Sequence, residues 1–313
     1  MNVEIIEIKA FLKSKKGYLK EGSKRLKSHL LKRGMVATVG QCKTALREAR
    51  SEQSSYKIDS PGTSLPKVLI YDIETSYNIV KSWRVGYNLN INPSDILHER
   101  SIICVSYKWL GEEEVYNIEW DSNQCDKSLL ETMIPVLNEA DMIVAHNGDR
   151  YDLKFIKTRA LKHGLPMLVD YPQFDTLKVA KKKFMFNSNK LDYITEFLGF
   201  GNKIKTSMKL WDDIILKRCP EAMEKMVEYC DMDVILLEKV YNKLVSWENP
   251  RLHAGVLSGL HKQTSPISGG TNLRLVKTVS TAGGTKKRIM EDLDTKRIFP
   301  MSDTNYKKFL EIK

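Results

Sequence analysis

The stretch KVLIYDIET, residues 67–75, decides the fold. Residues 67–75 read as an apolar strand, and its apolar run ends in Asp72-Ile73-Glu74. Strand side chains alternate, so Asp72 and Glu74 point to one face while Tyr71 and Ile73 point to the other. Two carboxylates side by side repel unless cations lie between them, and hard divalent ions take oxygen ligands of this kind. A solvated strand end would produce the same pair, so the stretch needs company before it means a site.

Working outward, residues 101–110 and 115–120 read as strands joined through Gly111-Glu112-Glu113-Glu114, a hairpin signal. Residues 128–138 have helical spacing, 142–146 form a buried strand, and 151–163 form a helix stopped by Gly164. Further helices are expected over 176–183, 191–198 and 221–244. Strands first, then helices alternating with a central strand, predict an α/β domain with a mixed sheet flanked by helices over residues 67–249.

Two more constellations fall on these elements. Asn147-Gly148-Asp149-Arg150-Tyr151-Asp152 follows the apolar strand and opens a helix, which sets Asp152 just past a sheet edge, where α/β folds place their sites. Capping by Asn147 or Asp149 is the structural alternative. In Tyr229-Cys230-Asp231-Met232-Asp233, Tyr229 and Asp233 share a helix face. Met223, Met226, Val227, Cys230, Val234 and Leu237 form that helix's apolar stripe, so Asp233 borders the buried face, where an acid needs a partner.

In this order and spacing, DxE on a first strand, NxxxYD after a later strand and YxxxD on a late helix resemble the three motifs of the DEDD superfamily of 3′→5′ exonucleases, in its tyrosine-containing branch. The resemblance is to the proofreading domain of family B DNA polymerases and to stand-alone phage-type relatives. It runs over residues 68–247 and includes VSYKWLGEEEV, ADMIVAHNGDRYDLKF, FDTLKVAKKKFMFNSNKLDYI and DVILLEKVY. It implies an RNase H-like fold. It also implies Asp72, Glu74, Asp152 and Asp233 as ligands of two Mg²⁺ or Mn²⁺ ions, Tyr229 as the catalytic tyrosine, and phosphodiester hydrolysis releasing 5′-mononucleotides. Tyrosine ionises near ~10, so positioning a water suits Tyr229 better than full deprotonation. Asp175, in FDTLK, is expected to cap a helix or support the site from behind. Lys181, Lys182, Lys183, Lys203 and Lys205 are candidates for phosphate contact, with a solvated helix surface as the alternative. Phe155, Phe184 and Phe186 are candidates for stacking on frayed bases, with a place in the core as the alternative for each.

The flanks differ from this domain in charge. The chain of 313 residues carries a net +11. Residues 1–50 hold 13 Lys/Arg against 4 Glu, and residues 250–313 hold 12 Lys/Arg against 5 Asp/Glu, so the stretch between them is net acidic at −5. Basic ends around an acidic centre suit a polyanion gripped at the ends and cations held in the middle. Residues 1–50 read as three short helices with Gly34 before the last, a helix-turn-helix-like unit for DNA or for a protein partner. Residues 51–66 (SEQSSYKIDSPGTSLP) read as a linker. Residues 250–313 read as a basic tail or a degenerate zinc-ribbon-like module. The relatives often end in two CxxC pairs, where this chain has SPISG (residues 265–269) and, by spacing, EDLD (residues 291–294). Serine is a poor zinc ligand, so no zinc is expected.

The cysteines are five, scattered and without CxxC spacing, the apolar runs are too short for a bilayer, and the first residues are charged. These features predict a reduced, cytoplasmic protein without membrane contact. The expected partner is nucleic acid, as single-stranded or frayed DNA 3′ ends. Two alternatives stand beside it. One is a catalytically weak nucleic-acid-binding scaffold, which the complete set of four carboxylates and Tyr229 argues against. The other is a structure-specific endonuclease on the same fold.

Overall fold

The computed structural model describes residues 5–14, 23–54, 66–201, 204 and 206–312. Three helices come first, α1 (Ile5–Ser14), α2 (Ser23–Leu31) and α3 (Val39–Ser54). They close around Ile8, Leu12, Leu26, Leu30, Cys42 and Leu46. Thr38 and Gln41 form a reciprocal cap at the start of α3, with Thr38 N donating to Gln41 Oε1 at 2.8 Å and Gln41 N to Thr38 Oγ1 at 3.1 Å. Helix α3 continues to Ser54, four residues into the stretch expected to be linker. The remainder of that stretch, residues 55–65, lies outside the described residues.

The central sheet follows. Its strands are β1 (Val68–Thr75), β4 (Ile102–Trp109), β5 (Tyr116–Glu119), β6 (Met142–Ala145) and β7 (Gln173–Asp175), with a short pair, β2 (Ile79–Val80) and β3 (Ile96–His98), between β1 and β4. The order is β5-β4-β1-β6-β7. Strand β1 runs antiparallel to β4, from Leu69↔Trp109 to Thr75↔Ile102, and parallel to β6, from Val68↔Met142 to Ile70↔Val144. The expected mixed sheet is therefore present. Strand β7 was not anticipated.

Helices cover both faces: α4 (Lys127–Glu139) and α5 (Asp152–His163) on one, α6 (Thr176–Lys183), α7 (Leu191–Phe197) and α9 (Pro220–Leu244) on the other, with α8 (Met208–Ile215) lying against α9. The alternation along β1 divides the core. Leu69, Tyr71 and Ile73 pack with α4 and α5, while Val68 and Ile70 pack with Val234, Leu237 and Tyr241 of α9. Asp72 and Glu74 continue the second row. The facing row of β4 meets the same helix: Cys104 clusters with Cys230, Ser106 donates to Asp231 at 2.7 Å, and Lys108 pairs with Glu238. Helix α9 is thus laid along β1 and β4 in a register that brings its acids over the end of β1.

A buried ionic knot fixes the opposite face. Asp126, at the start of α4, accepts from Ile102 N at 3.0 Å, from Arg159 Nε and Nη2 at 2.6 and 2.8 Å, and faces His163 Nε2 at 2.8 Å. Burial alone would raise its pKa, but Arg159, the Ile102 amide and His163 outweigh burial and hold the carboxyl below its ordinary value. Breaking one side of such a pair leaves the other charge buried, so Asp126→Asn is expected to cost about 3–5 kcal/mol. The folded carboxyl titrates lower than the unfolded one, so this stabilisation is complete at neutral pH and disappears as pH falls through the lowered value. Urea midpoints at neutral and acid pH check it: the gap between wild type and variant should narrow in acid.

After α9 the chain forms α10 (Ala254–Leu257), a three-stranded sheet of β8 (Leu273–Ser280), β9 (Lys286–Asp292) and β10 (Arg297–Ser302), and α11 (Asp303–Ile312). Leu273, Met290, Phe299, Met301 and Phe309 make its core. Ser265 and Ser268, at the cysteine positions of the ribbon pattern, both donate to buried Asp292 Oδ2, at 2.5 and 2.6 Å. Asp292 Oδ1 takes the Asp294 and Thr295 amides at 3.0 and 3.1 Å. A carboxylate bound by hydroxyls and amides thus joins the two loops that a ribbon would join through metal.

Candidate active site

Each expected residue has a position set by its element. Asp72 and Glu74 lie side by side on β1, opposite Ser106 and Cys104 of β4. The buried stripe of α9 includes Asp233 between Cys230 and Val234. Asp72, Glu74 and Asp233 can place one carboxylate oxygen each within 4.8 Å of one another. Asp231 turns away, bonded to Ser106 at 2.7 Å, to Asn117 at 3.4 Å and, at 3.8 Å, to Lys43 of α3. The choice of Asp233 over its neighbour is therefore a matter of helix face.

Asp152 stands outside that group of three, as the first residue of α5, buried, with its carboxyl accepting from the amides of Ile73 and of Asp152 itself. Ile73 is the residue between the two strand carboxylates, so Asp152 lies against the same length of β1. Burial, with Asp175 adding its negative charge, pushes Asp152 up to about 7. The turn that delivers it is tight. Asn147 is left-handed at φ 71, and a Cβ on Gly148 would stand 2.3 Å from Ala145 Cβ. Neither Asn147 nor Asp149 caps α5 with its side chain, contrary to the capping alternative; Asp149 pairs with Lys178 instead. Asp175 does cap α6, accepting from Leu177 N at 2.9 Å and Lys178 N at 3.3 Å, and the same oxygen takes Asn147 N at 3.0 Å. One carboxylate thus anchors the turn that carries Asp152.

Tyr229 packs edge-on against Trp211 of α8 and hydrogen-bonds Asp233. Burial, then the charges of Asp233, Glu74 and Asp72, raise its phenol above the ordinary value, so the hydroxyl stays protonated and donates to the carboxylate. Trp211 Nε1 also donates to Thr75 O at 3.2 Å, and Tyr77 donates to Asp212 Oδ1 at 2.8 Å. Helix α8 therefore clamps the end of β1. Cys230 is fully buried, with burial first among the causes that raise its thiol, and its Sγ lies 3.8 Å from Asp72 Oδ2. It is an inert neighbour of the site, not a nucleophile.

The cluster opens on a cleft of about 1040 Å³ lined by Asp72 and Tyr229 on one side and by His146, Asn147, Lys181 and Lys190 among others. His146 Nε2 faces Asn189 O at 2.9 Å. A carbonyl only accepts, so Nε2 carries the proton, and Nδ1 faces Thr176 Oγ1 at 2.9 Å. Of the lysines expected near phosphate, Lys181 lines the cleft, Lys182 and Lys183 lie 3.5 and 3.9 Å from Glu248, and Lys203 and Lys205 fall outside the described residues. Of the three candidate stacking rings, Phe155 is buried in the core, and Phe184 and Phe186 are half-buried against the core on the other face of the sheet.

Residues 97–245 match RNase_H_2, a family of the RNase H superfamily. With the mixed sheet and its helical layers, this decides the fold. The fold is RNase H-like. The match runs from β3 to the end of α9 and leaves β1 outside it, although β1 is the central strand of the same sheet. The chain is also similar to a curated relative, the DNA polymerase III PolC-type of Ureaplasma parvum, 25% identical over 195 residues, which cover 56% of this chain and 13% of the relative. The chain thus spans a small part of the relative's length. A solved structure, the family B DNA polymerase of the archaeon Pyrobaculum calidifontis, superposes with a TM-score of 0.46 at 16% identity, over 62% of this chain and 26% of that one.

Proposed function

We propose that the chain is a metal-dependent 3′→5′ exonuclease that hydrolyses DNA from its 3′ end and releases 5′-mononucleotides by a two-metal mechanism. The observation that carries this reading is the meeting of Asp72 and Glu74 of β1 with Asp233 of α9, with the Tyr229 hydroxyl on Asp233, beside the cleft that Asp72 and Tyr229 line. The RNase H-like domain supports a nuclease-type function at the coarser level.

A donor set of carboxylate oxygens fits hard divalent ions and not zinc in a structural site. Asp72, Glu74, Asp152 and Asp233 would hold two Mg²⁺ or Mn²⁺ ions, which when bound supply neutralisation of phosphate charge and a lowered water pKa. The chain's own groups do the rest. Tyr229, protonated and fixed by Trp211 and Asp233, orients the attacking water through its hydroxyl. Lys181 and Lys190 bring positive charge to the cleft for the phosphates of the strand end. His146 holds the Asn189 carbonyl and so fixes the segment that presents Lys190. The five cysteines are unpaired, which suits the reducing cytoplasm, and no described helix is long and apolar enough to cross a membrane.

Linear and circular single-stranded DNA of one sequence, digested in parallel with Mg²⁺, test the reading against an endonuclease on the same fold. Degradation of the linear form alone is expected; nicked circles would replace the exonuclease with an endonuclease.

The basic flanks are assigned to phosphate binding outside the cleft. Deleting residues 1–60 is expected to weaken binding to long DNA and to flatten its salt dependence, by about one unit of log–log slope for each phosphate that the N-terminal helices neutralise. Cleavage of a very short oligonucleotide at saturation should survive. Salt titrations of both chains on one long substrate check this, and equal slopes would assign the N-terminal helices to a protein partner.

A further inference from the structure

Residues 76–101 leave the end of β1 and return to the start of β4, so both ends of this segment lie at the rim of the carboxylate cluster. The base is pinned. Ser76 N donates to Ser101 O at 2.9 Å, Ser101 N to Ser76 Oγ at 2.8 Å and Arg100 N to Asn78 Oδ1 at 2.9 Å, with β2 and β3 pairing just beyond. Above that base Trp83, Val85 and Tyr87 are wholly exposed. Three large apolar side chains left open within five residues offer a contact surface, and connections of this length in a compact domain are commonly functional. The charge narrows the choice of partner. No acidic residue occurs from 76 to 94, although the surrounding stretch 51–249 is net acidic. Arg84 lies between the two aromatics in sequence, and it has no acidic partner among the described residues.

We propose that Trp83 and Tyr87 form a stacking platform for unpaired bases of the strand whose 3′ end occupies the cleft, with Arg84 on its phosphates. This deepens the function proposed above and rests on it. Open aromatic faces beside a guanidinium are the chemistry of single-strand binding, and a duplex has no free base faces to offer them. Continuity with the site supplies the occupant, since the segment leaves β1 directly after Glu74 and Thr75 and returns at Ile102, which pairs with Thr75.

Binding is measured first, in chelator so that nothing is cleaved, with an oligothymidylate of about 12 nucleotides. Affinity is followed by anisotropy for wild type, Trp83→Ala/Tyr87→Ala, and Trp83→Phe. The double variant is expected to lose roughly 10- to 100-fold in affinity, with an unchanged melting temperature, while Trp83→Phe keeps most of it. With Mg²⁺, its KM on the oligonucleotide should rise by a similar factor at constant kcat. KM on a dinucleotide, which offers the fewest bases to stack, should move least. Unchanged affinity and KM in the double variant would overturn the platform and leave the nuclease intact. Aromatic-dependent binding without cleavage by wild type would retain the platform and remove the nuclease reading.

Discussion

Asp72→Ala should reduce cleavage by at least about 10³-fold, because cation-mediated stabilisation of phosphate charge is worth several kcal/mol and each 1.36 kcal/mol is tenfold in rate. The fold should not suffer. Asp72, Glu74 and Asp233 crowd together, so removing one charge relieves repulsion, and stability in chelator should hold or rise. Asp233→Ala should behave alike. Asp231→Ala is the control, since Asp231 faces Ser106, Asn117 and Lys43. Its loss should cost stability and spare the chemical step. Single-turnover rates and melting temperatures of the three variants measure this. Full Mg²⁺-dependent activity in Asp72→Ala, or a dead Asp231→Ala with normal stability, would place the site elsewhere.

Tyr229→Phe is the second large effect. The substitution keeps the edge-on packing with Trp211 and removes only the hydroxyl that bonds Asp233. A group that positions water, without itself taking a proton, should be worth roughly 10- to 10³-fold in rate, within and below the range of general acid–base catalysts. Affinity for an oligonucleotide in chelator should change little. The single-turnover rate separates the cases: an unaltered rate would remove Tyr229 from the mechanism, and a loss seen only in KM would make it a binding residue.

The central row of the site was legible because strand alternation is local. Val68, Ile70, Asp72 and Glu74 share a face by geometry alone, and the stripe of α9 puts Asp233 at the border of its buried side. The fixed spacing of Tyr229 and Asp233 needed only a helix. What stayed hidden depends on long-range packing. Strand β7 has three residues, and it is a strand because β6 offers an open edge. Helix α8 has eight residues, too few to be stable alone, and exists by packing on α9. The anchoring of the Asn147 turn by Asp175 joins residues 28 apart, so local reading reached the cap on α6 but not the turn that Asp175 holds. The stacking rings show the limit most clearly. Phe155, Phe184 and Phe186 drew attention beside the motifs, yet they are packed on the core, while Trp83 and Tyr87, in a stretch without periodicity, are the open ones.

The central claim is that the carboxylates at the end of β1 and on α9 hold cations for stepwise removal of nucleotides from a 3′ end. A 5′-labelled single-stranded oligonucleotide followed over time with Mg²⁺ or Mn²⁺, and then with chelator, tests it most directly. The expected result is a ladder of labelled products shortening one nucleotide at a time, unlabelled 5′-mononucleotides released in step, and no reaction in chelator. Immediate release of the label as a mononucleotide, or cleavage that persists in chelator, would contradict it.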